Sequence, residues 1–106
     1  MPSEPPIDFN GIDSAVHGPI RLGVLCALKM EGELDFTTLK KRLSAADGAL
    51  GIHLLKLETI GYVTCHKEFV GRRPKSTYRI TPTGSKALSN YLEAMQRLID
   101  SLGSAI

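Results

Sequence analysis

The spacing of hydrophobic positions changes along this chain, and each change marks an element. From Pro19, the apolar residues Ile20, Leu22, Val24, Leu25 and Leu28 cover a broad helical face, with proline at the first helical position. Gly32 ends that helix near Met30, and Glu33 to Asp35 forms a short extended link. Asp35 then reads as the N-cap of a second helix through Leu43, with Phe36, Leu39 and Leu43 inward and Lys40, Lys41 and Arg42 outward. After a tight turn at Ser44-Ala45-Ala46, Asp47 reads as the cap of a third helix. Its Leu50, Leu54, Leu57 and Ile60 recur at i, i+4, i+7 and i+10.

At Gly61 the helical period stops. Tyr62 to Val70 and Ser76 to Thr81 are rich in β-branched and aromatic residues and read as two strands. Between them, Gly71-Arg72-Arg73-Pro74-Lys75 reads as a loop of turn formers that carries three cations. Thr81 caps a last helix whose first residue is Pro82 and which runs to about Leu102. Along it Leu88, Tyr91 or Leu92, Met95, Leu98 or Ile99, and Leu102 repeat in steps of three and four, a heptad-like seam roughly 21 Å long. A bare stripe of that length associates in water, so pairing with a second copy of itself is expected; the other way to cover it is folding back onto its own domain.

The N-terminal residues Met1 to Asn10 hold Pro2, Pro5 and Pro6 and read as an extended arm, tacked down by Ile7, Phe9 and Ile12. Asp13 to His17 reads as one helical turn, stopped by Gly18-Pro19. The order is then helix, short strand, helix, turn, helix, hairpin, helix. It predicts a mainly helical α+β fold: a winged helix-turn-helix with a two-stranded β-hairpin wing and a long C-terminal helix. The divisions expected are an arm over 1–12, the winged-helix domain over 13–81 and the terminal helix over 82–106.

Composition narrows the chemistry. At 106 residues the chain builds one domain with a modest core and no roomy buried active site. The net charge of +2 says little, but its distribution says more. From His66 to Arg79 the cations Lys67, Arg72, Arg73, Lys75 and Arg79 face only Glu68, whereas the first thirteen residues hold Glu4, Asp8 and Asp13 and no cation. A hairpin so charged suits a polyanion. Cys26 and Cys65 stand far apart without a spacing motif, which favours reduced thiols. Cys65 and His66 are neighbours on a strand and point to opposite faces, so they do not converge on one ion, and neither metal nor cofactor is expected. No apolar run approaches a membrane span, the start does not resemble a signal peptide, and the cytoplasm is expected. No nucleophile-base spacing, phosphate-binding glycine loop or carboxylate pair suggests an enzyme.

Four segments, HGPIRLGVLCAL, DFTTLKKRL, DGALGIHLLKLETIGYV and KEFVGRRPKSTYRITPTG, closely resemble the small stand-alone winged-helix transcriptional regulators of the MarR/ArsR-like group. The likeness covers about residues 13 to 100 and is most specific from Leu57 to Gly84. It implies a homodimeric regulator of double-stranded DNA, a repressor, joined through the terminal helices at Leu88, Tyr91, Leu92, Met95, Leu98, Ile99 and Leu102. It places the third helix in the major groove and the wing on the backbone or adjacent minor groove. The residues then expected at DNA are Asp47, Ala49, Ile52, His53 and Lys56 on that helix, Lys40 and Lys41 beside it, and Arg72, Arg73 and Lys75 on the wing. Whether a small-molecule effector exists is left open by the sequence.

One departure stands out. The outer positions of the third helix are Ala49, Gly51 and Ile52, and its polar groups are only Asp47, His53 and Lys56, where members of the group commonly present polar side chains. Direct readout uses donors and acceptors, which this helix offers sparingly. Small residues permit close approach to a groove, with Ile52 or Ala49 on a thymine methyl; equally, they suit a module that docks another protein. His53, beside the Leu50/Leu54 face, is either a base contact or a partly buried histidine bonded to a carbonyl.

Overall fold

The computed structural model describes residues 11–105, and the arm expected over residues 1–10 lies outside them. The elements run α1 (Pro19–Glu31), β1 (Glu33–Asp35), α2 (Phe36–Leu43), α3 (Asp47–Thr59), β2 (Val63–Val70), β3 (Arg73–Ile80) and α4 (Pro82–Ala105). Before α1, the backbone N–H groups of Val16 and His17 both donate to the Asp13 carbonyl, closing the single turn expected there.

Local chemistry sets most boundaries. Asp35 Oδ1 accepts the Thr38 N–H at 2.7 Å and so caps α2. The Thr38 side chain first, and then this backbone bond, hold its carboxyl below the ordinary carboxylate range. Ser44 ends α2 in the left-handed region, at φ 49°. The cap expected for α3 is different: Ala46 occupies the N-cap with no side-chain bond, and Asp47 is the first helical residue. Its carboxylate instead meets Lys40 Nζ at 2.7 Å, while its charge still suits the positive end of the helix dipole. At α4, Thr81 Oγ1 accepts the Gly84 N–H at 2.9 Å and donates to the Gly61 carbonyl at 2.6 Å. One hydroxyl thus caps α4 and ties its start to the end of α3.

The three strands form an antiparallel sheet in the order β1-β3-β2. The short link Glu33–Asp35 is its third strand, paired with Thr77 to Arg79 of β3. The wing differs from the expected five-residue loop. Val70 pairs with Arg73 and Phe69 with Pro74, which leaves only Gly71 and Arg72 between the strands. Gly71 has φ +66° and Arg72 does not, the sign pattern of a type II′ hairpin turn. Proline is tolerated in β3 because β1 pairs it only from Thr77 onward, so at Pro74 the strand is locally an edge.

The core is built around α1. Val24, Leu25 and Leu28 are fully buried in one cluster with Leu39 of α2, Leu50, Leu54 and Leu57 of α3, Val63 of β2, and Tyr78 of β3. Leu88 and Tyr91 of α4 belong to the same cluster, each about 4% exposed. These two expected seam residues are therefore core residues of their own chain. Beyond them Met95 and Leu98 are half-buried and Leu92, Ile99 and Leu102 are exposed. The first half of α4 folds back and its second half carries the apolar stripe onward.

Gly84 lies where α4 passes closest to the chain leaving α3. A Cβ there would stand 2.2 Å from the Tyr62 carbonyl oxygen and 2.9 Å from its Cα, and backbone cannot swing aside. Gly84→Ala is expected to cost about 1–3 kcal/mol. Gly48→Ala, where a Cβ meets nothing within 4 Å, is expected to add about 0.4–1 kcal/mol. Urea midpoints check both, and equal shifts for the two variants would contradict the close contact.

Candidate nucleic-acid interface

The inward face of α3 is fixed by Leu50, Leu54 and Leu57, each at most 1% exposed. Its outward face follows from helical geometry, about 100° per residue. Gly48, Ile52, Leu55 and Thr59 stand opposite the leucines, with Ile52 59% and Leu55 62% exposed. Leu55 was not among the residues expected at DNA. It lies three residues after Ile52, a spacing visible in the sequence, but the leucine periodicity gives no reason to look past Leu54. Ala49 is half-buried and Lys56 is exposed.

Most polar groups of this helix are engaged within the chain. Asp47 is paired with Lys40. The Thr59 hydroxyl donates to the Leu55 carbonyl at 2.8 Å. Arg21 Nη1 donates to His53 Nδ1 at 2.9 Å, while other nitrogens of the same guanidinium donate to the carbonyls of Ser14, Ala15 and His17. His53 is bonded inside the fold, but its partner is the Arg21 guanidinium and not the carbonyl expected for a partly buried histidine. Residue 21 was not singled out in the sequence because the contact spans 32 positions. This guanidinium clamps the turn before α1 onto α3.

The preceding turn is also held from its other side. The Tyr62 hydroxyl donates to Asp13 Oδ2 at 2.6 Å, and that bond, with burial, pushes its pKa up to about 12. His17 and Tyr91 meet through Nδ1 and the phenol oxygen at 2.8 Å. A shallow groove of about 430 Å³ runs beside the C-terminal half of α3, walled by Leu55, Lys56, Ile60, Ala15 and Arg21.

The wing has two faces. Val63, Cys65 and Phe69 share one with their partners Ile80, Tyr78 and Pro74; Thr64, His66, Glu68 and Val70 share the other with Arg79, Thr77, Lys75 and Arg73. The three loop cations are thus split. Arg72 lies in the turn, Arg73 and Lys75 lie on β3, and Lys75 faces Glu68 across the ladder. Arg79 is paired with Glu33 at 2.7 Å, and Arg42 of α2 with Glu31. Among the described residues, neither Arg72 nor Arg73 has a carboxylate within ion-pair distance, so the tip keeps its charge. Lys41 is exposed. Phe69 and Val70, 76% and 58% exposed beside these arginines, are a feature the strand pattern alone did not single out. Among the described residues no group of three His, Cys, Asp or Glu is placed to hold a metal ion, and no helix is long and apolar enough to cross a membrane.

A helical core carrying a leucine-seated third helix, followed at once by an antiparallel hairpin with a charged tip, defines the winged helix class. The family model described as winged helix DNA-binding domain matches residues 20–99, and the chain belongs to that family. An uncharacterized protein of Methanocaldococcus jannaschii is 34% identical over 79 residues, 74% of this chain and 86% of its own length. A transcriptional regulator homologue from Pyrococcus horikoshii OT3 superposes with a TM-score of 0.78 at 28% identity, over 87% of this chain and 92% of that one. A regulator of the ArsR family superposes with a TM-score of 0.60 at 30% identity, over 87% and 90%. The resemblance to MarR/ArsR-like transcriptional regulators read from the sequence thus holds for the fold and the family.

The clamp on α3 has a pH signature. Burial, then the charges of Arg21 and Lys56, hold the His53 pKa below its ordinary 6.5. As pH falls, the unfolded chain therefore takes up this proton before the native one. Stability is full above about pH 6.5 and declines below it until the native histidine titrates. His53→Gln is expected to remove that part of the acid-side loss. Thermal midpoints from about pH 8 to about pH 5 check it, and parallel curves for the two proteins would exclude it.

Proposed function

We propose that the chain is a homodimeric DNA-binding transcriptional regulator that acts as a repressor in the cytoplasm. Its α3 lies in the major groove and its wing lies on the backbone or the adjacent minor groove. The observation that carries this reading is the state of the cations. Lys40, Arg42 and Arg79 are paired with carboxylates, whereas among the described residues Arg72 and Arg73 at the end of a stiff hairpin are not. Unneutralised guanidinium groups on a rigid support suit phosphate, which they bind in a bidentate way. Membership of the winged helix DNA-binding family supports the same assignment. Lys41 and Lys56 add exposed positive charge on α2 and α3.

The dimer assignment rests on the far half of α4. Leu92, Met95, Ile99 and Leu102 lie on one side of the helix, and the stripe continues from residues that cover the chain's own core. A second copy of the same helix offers a matching stripe, and two-fold pairing sets two third helices at a fixed spacing. A second reading is favoured by one feature, the exposed Ile52 and Leu55 on α3. They suit a winged-helix dimer that docks a protein and no longer reads DNA. Gel shifts on genomic fragments, with competitor DNA at two salt concentrations, separate the readings.

Replacing Arg72 and Arg73 by alanine is expected to weaken binding to every duplex and to flatten the salt dependence, by about 0.9 in log–log slope for each phosphate no longer neutralised. An unchanged slope would remove the wing from the interface. Ile99→Glu, at a position 56% exposed, is expected to give a folded monomer in sedimentation, with DNA affinity lowered roughly tenfold or more because the second half-site is no longer engaged. A variant that remains dimeric would displace the seam from α4.

A further inference from the structure

We propose that α3 reads thymine methyl groups, through Ile52 and Leu55, in place of the hydrogen-bonding edges of guanine or adenine. This rests on the DNA-binding reading above and names what that interface recognises. Each base pair presents donors and acceptors in the major groove, and the only apolar feature there is the thymine C5-methyl. The outward face of α3 is matched to that feature. Ile52 and Leu55 are 59% and 62% exposed with no cover within the described chain. Of the polar groups that would compete for base edges, Asp47 is engaged by Lys40, His53 by Arg21 and the Thr59 hydroxyl by its own helix, which leaves Lys56 as the exposed cation beside the apolar pair.

A second observation concerns approach. Gly48 and Gly51 interrupt α3 where a Cβ would meet nothing within 4 Å, so no packing among the described residues requires them to be small. Glycine weakens a helix relative to alanine. Their smallness leaves the backbone of α3 open to close approach by a surface outside the chain. A groove floor is such a surface, and close approach is what short-range contact with a methyl needs. Charge complementarity commits the occupant to DNA: the apolar pair is followed on the same helix by Lys56 and precedes the arginine-tipped wing. Three helical residues rise about 4.5 Å, against about 3.4 Å per base step on one strand. Ile52 and Leu55 therefore address thymines one to two steps apart.

The test uses duplexes selected by the wild-type protein from a random pool, then resynthesised with deoxyuridine in place of thymidine. Removing a contacted methyl is expected to weaken binding about fourfold, and two to weaken it by somewhat over tenfold. Ile52→Ala with Leu55→Ala is expected to lower affinity for the thymidine duplex by a similar factor and to abolish the difference between the two duplexes. Arg72→Ala is expected to weaken both alike. Equal binding of thymidine and deoxyuridine duplexes by the wild type would overturn methyl reading while leaving DNA binding intact. Failure to select any duplex would overturn the DNA reading itself, and methyl reading with it.

Discussion

The rotational setting of α3 on α1 is the constraint from which the rest of the molecule follows. Leu50, Leu54 and Leu57 join Val24, Leu25 and Leu28 in a cluster from which water is excluded, and burying a leucine is worth about 1.5–3 kcal/mol. Turning the helix by one residue would exchange a buried leucine for a glycine or an exposed charge. The Arg21 guanidinium adds direction to this packing, because a hydrogen bond to His53 is satisfied at one rotation only. With that side fixed, the opposite side has no freedom: Gly48, Ile52, Leu55 and Thr59 must face outward. The composition of this outward face is thus a consequence of how the core is filled.

The same fixed helix positions the wing and α4. Tyr62, the residue before β2, hydrogen-bonds Asp13 ahead of α1, while its backbone bounds the space into which Gly84 fits. Thr81 then links the end of α3 to the start of α4 through one hydroxyl. These contacts join segments far apart in sequence, and each uses a small residue or a side chain with both a donor and an acceptor. The hairpin therefore leaves the body from a braced base. Its two-residue turn adds little flexibility at the tip, so the charge of Arg72 and Arg73 is held out at a defined distance.

Much of this was legible in the sequence because it is written in local signals. Proline at the start of α1 and α4, the Asp35 and Thr81 caps and the leucine spacing of α3 are short-range features, and the structure shows them. What could not be read locally depends on partners. Pro74 looked like loop because proline disfavours central strands; only the pairing, which leaves β3 without a second neighbour at that point, makes it acceptable. Asp47 looked like a cap, but the chain enters α3 one residue earlier and Lys40 captures its carboxylate. The heptad-like seam ran through Leu88 and Tyr91 because period alone does not say where a helix leaves its own core. For the interface, the charged tip was visible and Leu55 was not, since two adjacent leucines satisfy the same pattern.

Among the apolar surfaces exposed on the described residues, those of α4 and α3 differ in shape and call for different partners. On α4 the stripe from Leu92 to Leu102 is about 15 Å long and continues one that already packs against a core. A helix can match such a stripe along its whole length, and an identical helix does so without any new sequence. On α3 the exposed pair is two side chains on a helix whose neighbours are glycines and a lysine. Two side chains bury too little area to hold proteins together, since a standard interface removes about 1,600 Å² from water. They are sufficient where the binding energy comes from elsewhere and only discrimination is needed. Phosphate contacts supply affinity without regard to sequence, and a small apolar contact on top of them adjusts preference. On the proposed reading, a charged wing that supplies affinity and an apolar pair on α3 that adjusts preference follow from that difference in scale.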